Sequence, residues 1–176
     1  MAILAIRIYP DPVLRGKRRP VTEFGAQLAR LAANMIETMV AAPGIGLAAP
    51  QVGQEVRMAV VDLSVGEDPA QLHVLVNPEI VWREGLETDV EGCLSLPGIS
   101  DKVDRPAAIR VRAVDLAGRP FELEAEGWLA RAICHEVDHL DGILFTDHLR
   151  GLRRERVRRQ LRKLAAEGAE REEAHA

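Results

Sequence analysis

The pentapeptide His135-Glu136-Val137-Asp138-His139 constrains this chain more than any other feature of its sequence. Residues four apart on an α-helix lie on one face, about 6 Å apart along the axis, so both imidazoles can reach one metal ion at roughly 2.0–2.1 Å. The glutamate beside the first histidine is then placed to move a proton on metal-bound water. The spacing therefore predicts a helix that carries two metal ligands and a general base.

The third ligand must come from elsewhere in the chain. An HExxHxxGxxH site needs a histidine six residues after His139, and that position is Phe145. A downstream glutamate ligand would be Glu155, which lies in an arginine-rich run without a matching motif. Cys93 is the better candidate, because its Gly-Cys-Leu-Ser turn can present a thiolate without burying it. A Cys-His-His set with one open position is typical of a catalytic metal site.

Three motifs together resemble the signature of the peptide deformylases, in the same order and without a gap. They are the helix motif and two upstream segments, Gly44-Ile45-Gly46-Leu47-Ala48-Ala49-Pro50-Gln51 and Glu91-Gly92-Cys93-Leu94-Ser95. The resemblance runs from about Ile8 to about Leu149. It implies an enzyme that removes the N-formyl group from the starting methionine of nascent bacterial and organellar chains.

The resemblance also implies a role for individual residues. Cys93, His135 and His139 would bind one divalent metal, Fe²⁺ in the native enzyme, which Zn²⁺, Ni²⁺ or Co²⁺ can replace. Metal-bound water or hydroxide would be the nucleophile, with Glu136 as general base and then general acid.

The remaining implied roles concern the substrate. The side chain of Gln51 and the backbone N–H of Leu94 would stabilise the oxyanion. Gly46 would accept a hydrogen bond from the substrate through its carbonyl, and Ile45 beside it would contact the substrate as well. Two further pocket residues, Trp128 and Ala132, share the helix face of the histidines, although Trp128 can also be read as a core tryptophan.

Three other functions stay open on the sequence. The helix motif alone fits a metallopeptidase, which would act on peptides with a free amino end. Cys93 could instead be the nucleophile of a cysteine hydrolase with His135 as its base, an enzyme that a chelator would leave active. The third possibility is a non-catalytic metal-binding module associated with the ribosome.

Composition limits the class of protein. The chain has 176 residues, 47% of them hydrophobic, which fits one catalytic domain over residues 1–164, followed by a tail over 165–176 that we expect to fray. There is no apolar run long enough for a membrane and no secretory signal, and the two cysteines form no disulfide framework. These features predict a cytoplasmic protein with no membrane partner. The net charge of −4 argues against general binding of nucleic acid, and we expect no sequence-specific binding either.

One segment opposes that charge balance. Between Arg150 and Lys163 the chain has eight basic residues and one acidic residue. The segment is either a solvated helix face or a docking surface for a polyanion, in which case the ribosome is the expected partner. Apolar residues at spacings of three to five predict a narrow seam against the body, with the arginines outside: Leu149, Leu152, Val157, Leu161 and Leu164.

The predicted fold class is α+β, with a partly antiparallel sheet wrapped around a central metal-bearing helix and with an N-terminal and a C-terminal helix. The predicted helices run from a Thr22 cap to about Ala41 and from Gly127 to just before Gly142. The predicted strands are 56–63 and 72–80, followed by a hairpin of 109–112 with 121–124 whose arginines and glutamates pair across the strands. We also expect Glu91 and Arg105 to form an ion pair behind the Cys93 loop rather than to be separate surface charges.

Overall fold

The computed structural model describes residues 2–173, with side-chain exposure described up to residue 168. The three α-helices are α1 (Ala26–Ala41), α2 (Gly127–Leu140) and α3 (Gly151–Glu173). The strands are β1 (Gly46–Ala48), β2 (Met58–Asp62), β3 (Leu72–Glu84), β4 (Glu87–Gly92), β5 (Ser100–Arg105), β6 (Ala108–Val114) and β7 (Pro120–Glu126). Over this part of the chain, no helix is both long and apolar enough to cross a membrane.

The strands form two antiparallel sheets. Five of them form one sheet in the order β1-β2-β3-β6-β7, and β4 pairs only with β5 within the described residues. The predicted α+β class is therefore confirmed. Strands β4 and β5 were not predicted, because their buried positions include the charged residues Glu91, Asp101 and Arg105 and therefore give no alternation of apolar and polar residues.

Helix α2 lies against the five-stranded sheet and fills the centre of the molecule. Ile133 and Val137 pack with the sheet residues Leu75 and Val111 in one buried cluster. The predicted end of the helix is confirmed, because Gly142 has a φ of +74° just beyond it. A side chain at Gly142 would overlap the backbone of Gly16, so the position also brings the N-terminal segment close to the helix end.

The predicted hairpin of β6 and β7 is confirmed, and so is the pairing of its arginines with its glutamates. Arg110 faces Glu124 with an N–O distance of 2.8 Å, and Arg112 faces Glu122 at 3.2 Å. All four side chains are exposed, so each pair stabilises the fold by about 1 kcal/mol at most.

The predictions for the start of α1 and for the segment 44–53 are wrong. Helix α1 begins at Ala26 after Gly25, not at Thr22, because Asn77 holds the preceding segment in extended form through hydrogen bonds with the backbone of Val21 of 2.8 and 2.9 Å. The segment 44–53, predicted to be a loop, contains the strand β1 and a short 3-10 helix.

Helix α3 differs from its prediction at three points. It continues beyond residue 164 to Glu173, since alanine and glutamate favour helix, and residues 174–176 lie outside the described part; the fraying expected of the tail stays a prediction. Leu152, which we placed in the apolar seam, is 89% exposed, whereas Val157 and Leu161 are buried. Two of the arginines expected on the outside contact the body: Arg156 bonds Asp101 at 2.6 Å, and Arg153 bonds the carbonyl of Lys102 at 3.0 Å.

Candidate active site

The three predicted metal ligands converge from two elements. Cys93 directly follows β4, and His135 and His139 lie one turn apart on α2. The Sγ atom of Cys93 is 3.2 Å from Nε2 of His139, which is 3.2 Å from Nε2 of His135. The three atoms lie within 4.8 Å of one another, so one ion could contact all of them at about 2.0–2.3 Å.

The protonation of this cluster also suits a cation. Nδ1 of His135 is 3.0 Å from the Glu91 carboxylate, and an N–H there leaves a lone pair on Nε2 facing the other two ligands. Burial and the neighbouring His135 lower the pKa of His139 well below its ordinary value. Burial acts in the same direction on His135, but the hydrogen bonds with Cys93 and Glu91 outweigh it and raise its pKa. One thiol and two imidazoles that converge in this way are a donor set that suits a divalent metal ion.

A buried ion network holds this arrangement from behind. Arg105 donates to both oxygens of Glu91, at 2.8 and 3.0 Å, so the predicted ion pair is confirmed. Arg131, which no motif indicated, donates to Glu91 at 2.9 Å and to the carbonyls of Glu87 and Val103 at 2.8 and 2.9 Å. The signal that could have found Arg131 is a charged residue within an otherwise apolar stretch of α2.

Glu136 lies in the interior beside the ligands. Its side chain lines the same pocket as Cys93 and His135, and Oε2 has no hydrogen-bond partner among the described residues. Burial raises the pKa of this carboxyl to about 7. Gly46 approaches it so closely that a Cβ atom there would overlap Oε1 and lie 2.9 Å from Cδ. The glycine is therefore required by Glu136 itself, which the sequence analysis did not foresee.

The amide of Gln51 is oriented towards the thiol. Its Oε1 accepts from the backbone N–H of Ala48 at 2.8 Å. Its Nε2 then faces Ser95 Oγ at 3.2 Å and Cys93 Sγ at 3.5 Å. Ser95 is a further residue of the site whose contact with Gln51 the sequence analysis did not assign.

A cavity of about 410 Å³ opens beside these groups. It is lined by the other predicted residues, Ile45, Leu94, Trp128 and Ala132, together with Val90 and Arg131. Trp128 is 49% exposed at the cavity wall, which excludes the alternative of a core tryptophan. Cys134 is buried away from the cavity, and burial raises the pKa of its thiol to about 11.

The remaining histidines are not brought to the ligands over the residues described. One of them nevertheless has a partner that we did not predict: His148 lies 2.7 Å from the carboxylate of Asp138. His73 is on β3, and His175 lies outside the described residues.

Known proteins are similar to this chain over most of its length. A model of the polypeptide deformylase family matches residues 3–155. A peptide deformylase of Alkalilimnicola ehrlichii is 53% identical over 168 residues, which cover 96% of this chain and 94% of the relative. The crystal structure of peptide deformylase from Thermus thermophilus has a TM-score of 0.86 and 46% identity, covering 94% of this chain and 99% of that one. A peptide deformylase structure from Legionella pneumophila also has a TM-score of 0.86, with 42% identity over 95% and 98% of the two chains.

Proposed function

This chain belongs to the polypeptide deformylase family and removes the N-formyl group from the N-terminal formyl-methionine of newly made polypeptides, and we propose that Cys93, His135 and His139 hold the metal ion for this reaction. The observation that carries the proposal is the convergence of their three ligand atoms within 4.8 Å. A divalent metal held by these residues would lower the pKa of a water molecule and polarise the formyl carbonyl.

Glu136 is the residue that moves the proton. Its unpartnered Oε2 takes a proton from the water that attacks the formyl carbon. The same atom then gives that proton to the amine as the C–N bond breaks, so formate and a free amino terminus leave together. A pKa of about 7, raised by burial, suits both steps at neutral pH because both protonation states are populated.

The oxyanion is stabilised by Gln51 and Leu94. The backbone N–H of Ala48 holds Oε1 of Gln51, so the side-chain N–H groups face the site. Their contacts with Ser95 and Cys93, at 3.2 and 3.5 Å, are long for hydrogen bonds, so the amide can exchange them for a stronger hydrogen bond to the oxyanion. The backbone N–H of Leu94 is the second donor, on the residue that follows Cys93. One such donor typically contributes about 3–4 kcal/mol to transition-state stabilisation.

The cavity accommodates the methionine side chain. Ile45, Trp128 and Ala132 give it an apolar wall, and Ala132 leaves space beside the ligands. The backbone carbonyl of Gly46 accepts a hydrogen bond from the substrate chain at the edge of β1.

Fe²⁺ is the metal that we propose for the native enzyme, replaceable by Zn²⁺, Ni²⁺ or Co²⁺. The mixed thiolate and imidazole set accepts all four ions, and affinity alone would not select iron. A thiolate ligand is preserved in a reducing compartment, which supports the cytoplasm as the place of action.

Release of formate from formyl-Met-Ala-Ser, with and without a chelator, tests this function. We expect formate from the metal-loaded protein, none after chelation and recovery when the metal is restored. The variant Glu136→Gln is the matched control, because it retains all three ligands. Activity that survives complete removal of the metal would favour a cysteine hydrolase with Cys93 as nucleophile. Action only on peptides with a free amino end would favour a metallopeptidase.

We also propose that the outer face of α3 contacts the ribosome, where formylated chains emerge. Arg153 and Arg156 bind the body, so the test reverses Arg154 and Arg162, which are exposed, to glutamate. We expect weaker association with ribosomes at low salt and unchanged hydrolysis of a short formyl-peptide. Truncation is a poorer test, because Val157 and Leu161 belong to a cluster that also includes Cys93.

A further inference from the structure

We propose that His148 is a positioning residue for the metal ligand His135 and acts on it through Asp138, Arg105 and Glu91. This inference rests on the ligand set proposed above. His148 lies outside the cavity and is 37% exposed at its side chain, so it does not contact the substrate or the metal.

A continuous chain of short hydrogen bonds joins His148 to His135. Nε2 of His148 is 2.7 Å from Oδ2 of Asp138, and Arg105 Nη1 donates to the same oxygen at 2.6 Å. Arg105 then donates to both oxygens of Glu91, whose Oε2 lies 3.0 Å from Nδ1 of His135. Because Nδ1 is occupied in this way, the orientation of the His135 ring depends on where Glu91 is held.

The position of the Asp138 carboxylate depends on a further hydrogen bond, because this group is more exposed than the two side chains that follow it in the network. The Asp138 carboxylate is 18% exposed, whereas the side chains of Arg105 and Glu91 are 5% and 4% exposed. Without a donor at position 148, water could compete for Oδ2, and the carboxylate could turn away from Arg105. The guanidinium would then lose the anchor on Nη1 that keeps its other nitrogens aligned on Glu91.

The local structure places His148 where it can act on the ligand. It ends a short 3-10 helix, Phe145–His148, and the first residue of that helix stacks on His135, with ring centroids 6.2 Å apart. This 3-10 helix therefore acts on His135 in two ways. Phe145 contacts the ring directly, and His148 is connected to it through the hydrogen-bond network. Asp147 fixes the turn by accepting from the backbone N–H of Leu144 at 2.8 Å.

Two substitutions separate the hydrogen bond from the shape of the side chain. In His148→Gln, the amide nitrogen can occupy the place of Nε2 and donate to Asp138; in His148→Leu, the volume is kept but the donor is lost. The zinc-loaded protein is mixed with a chromophoric chelator, and the rate of zinc release is measured together with formate release. We expect release about 5–10 times faster in the leucine variant, below the roughly 10–100-fold effect of removing a direct partner of a ligand. The glutamine variant should stay within about 2-fold of the wild type.

The cobalt-substituted proteins give an independent measurement. The visible absorption bands of the leucine variant should shift, because the orientation of one ligand changes, and the bands of the glutamine variant should not.

Equal rates of zinc release in the wild type and both variants would overturn the role of His148 and leave the ligand set standing. Equal acceleration in both variants would also overturn it, since the effect would then be one of packing. A wild type that takes up no zinc would overturn the ligand set and this inference together. If the leucine variant does not fold, His148→Asn, whose donor falls short of Asp138, takes its place.

Discussion

Replacing Gly46 with alanine should disable the general base while leaving the metal in place. The glycine needs no unusual backbone conformation, since its φ lies outside the left-handed region. The added Cβ would overlap Oε1 of Glu136 and lie 2.9 Å from Cδ and 3.0 Å from Cγ. Ordinary contacts of this kind begin at about 3.4 Å, so the carboxylate must move by several tenths of an ångström at least.

The size of the effect follows from which group moves. A buried side chain with 4% exposure has little room, and the displaced group is the one that transfers the proton. General acid–base catalysis contributes about 10²–10⁴-fold, and a misplacement of about 1 Å can cost about 10²-fold. We therefore expect kcat of Gly46→Ala to fall about 10²-fold. The melting temperature should fall as well, because the side chain that must yield is buried in a packed interior.

Steady-state formate release and zinc content are measured for Gly46→Ala, Glu136→Ala and the double variant. If the alanine acts through Glu136, it has no further effect on kcat once the carboxylate is gone. Gly25→Ala is the control for a glycine substitution in open space, because a Cβ atom there has no neighbour within 4 Å. Additive losses, or a rise in KM with kcat unchanged, would refute the reasoning and assign Gly46 only to the substrate backbone.

Three further predictions concern the ligands and their supports. Glu136→Gln should retain one metal per chain and lose about 10²–10⁴-fold in kcat, which metal analysis and formate release check together. Cys93→Asp should bind zinc more weakly and shift the preference towards harder ions, measured by competition between Zn²⁺ and Mn²⁺. Burial opposes the charge on Glu91, but hydrogen bonds from His135 and Arg105 lower its pKa below the ordinary value of 4.5. Its contribution to the stability of the metal-free fold is thus complete above pH 4.5 and is lost as the pH falls through the lowered pKa. Denaturant unfolding between about pH 7 and 3 should show a flatter dependence for Glu91→Gln.

The residues that carry chemistry could be predicted because their pattern is local. The spacing of His135 and His139 places both side chains on one face of a helix, and the structure contains the predicted helix, Gly127–Leu140. The alternation of arginine and glutamate along β6 and β7 likewise places these side chains on one face of each strand, where they pair across the hairpin. Both inferences start from the period of a single element.

Other features could not be predicted because they depend on contacts between distant parts of the chain. Asn77 holds Val21 across 56 positions and so delays the start of α1. Arg131 satisfies carbonyls on both strands of the β4–β5 hairpin, which a helical pattern cannot reveal. Gly46 and Glu136 lie far apart in the sequence, so only the fold could show that the glycine makes room for the carboxylate.

The buried charges also explain how two separate sheets can build one site. Cys93 belongs to the β4–β5 hairpin, whereas both histidines lie on the helix that packs against the larger sheet. An apolar interface between these parts could be as stable as the ion network, because burying charges costs solvation energy that their pairing only partly returns. An apolar interface could not fix the orientation of the ligands, since apolar contacts have no preferred direction. Hydrogen bonds have a preferred direction, and those of Glu91 connect the β4–β5 hairpin to Arg131 and His135 at the same time. The network therefore serves to align the thiol beside the smaller sheet with the imidazoles of α2, the helix that packs on the larger sheet.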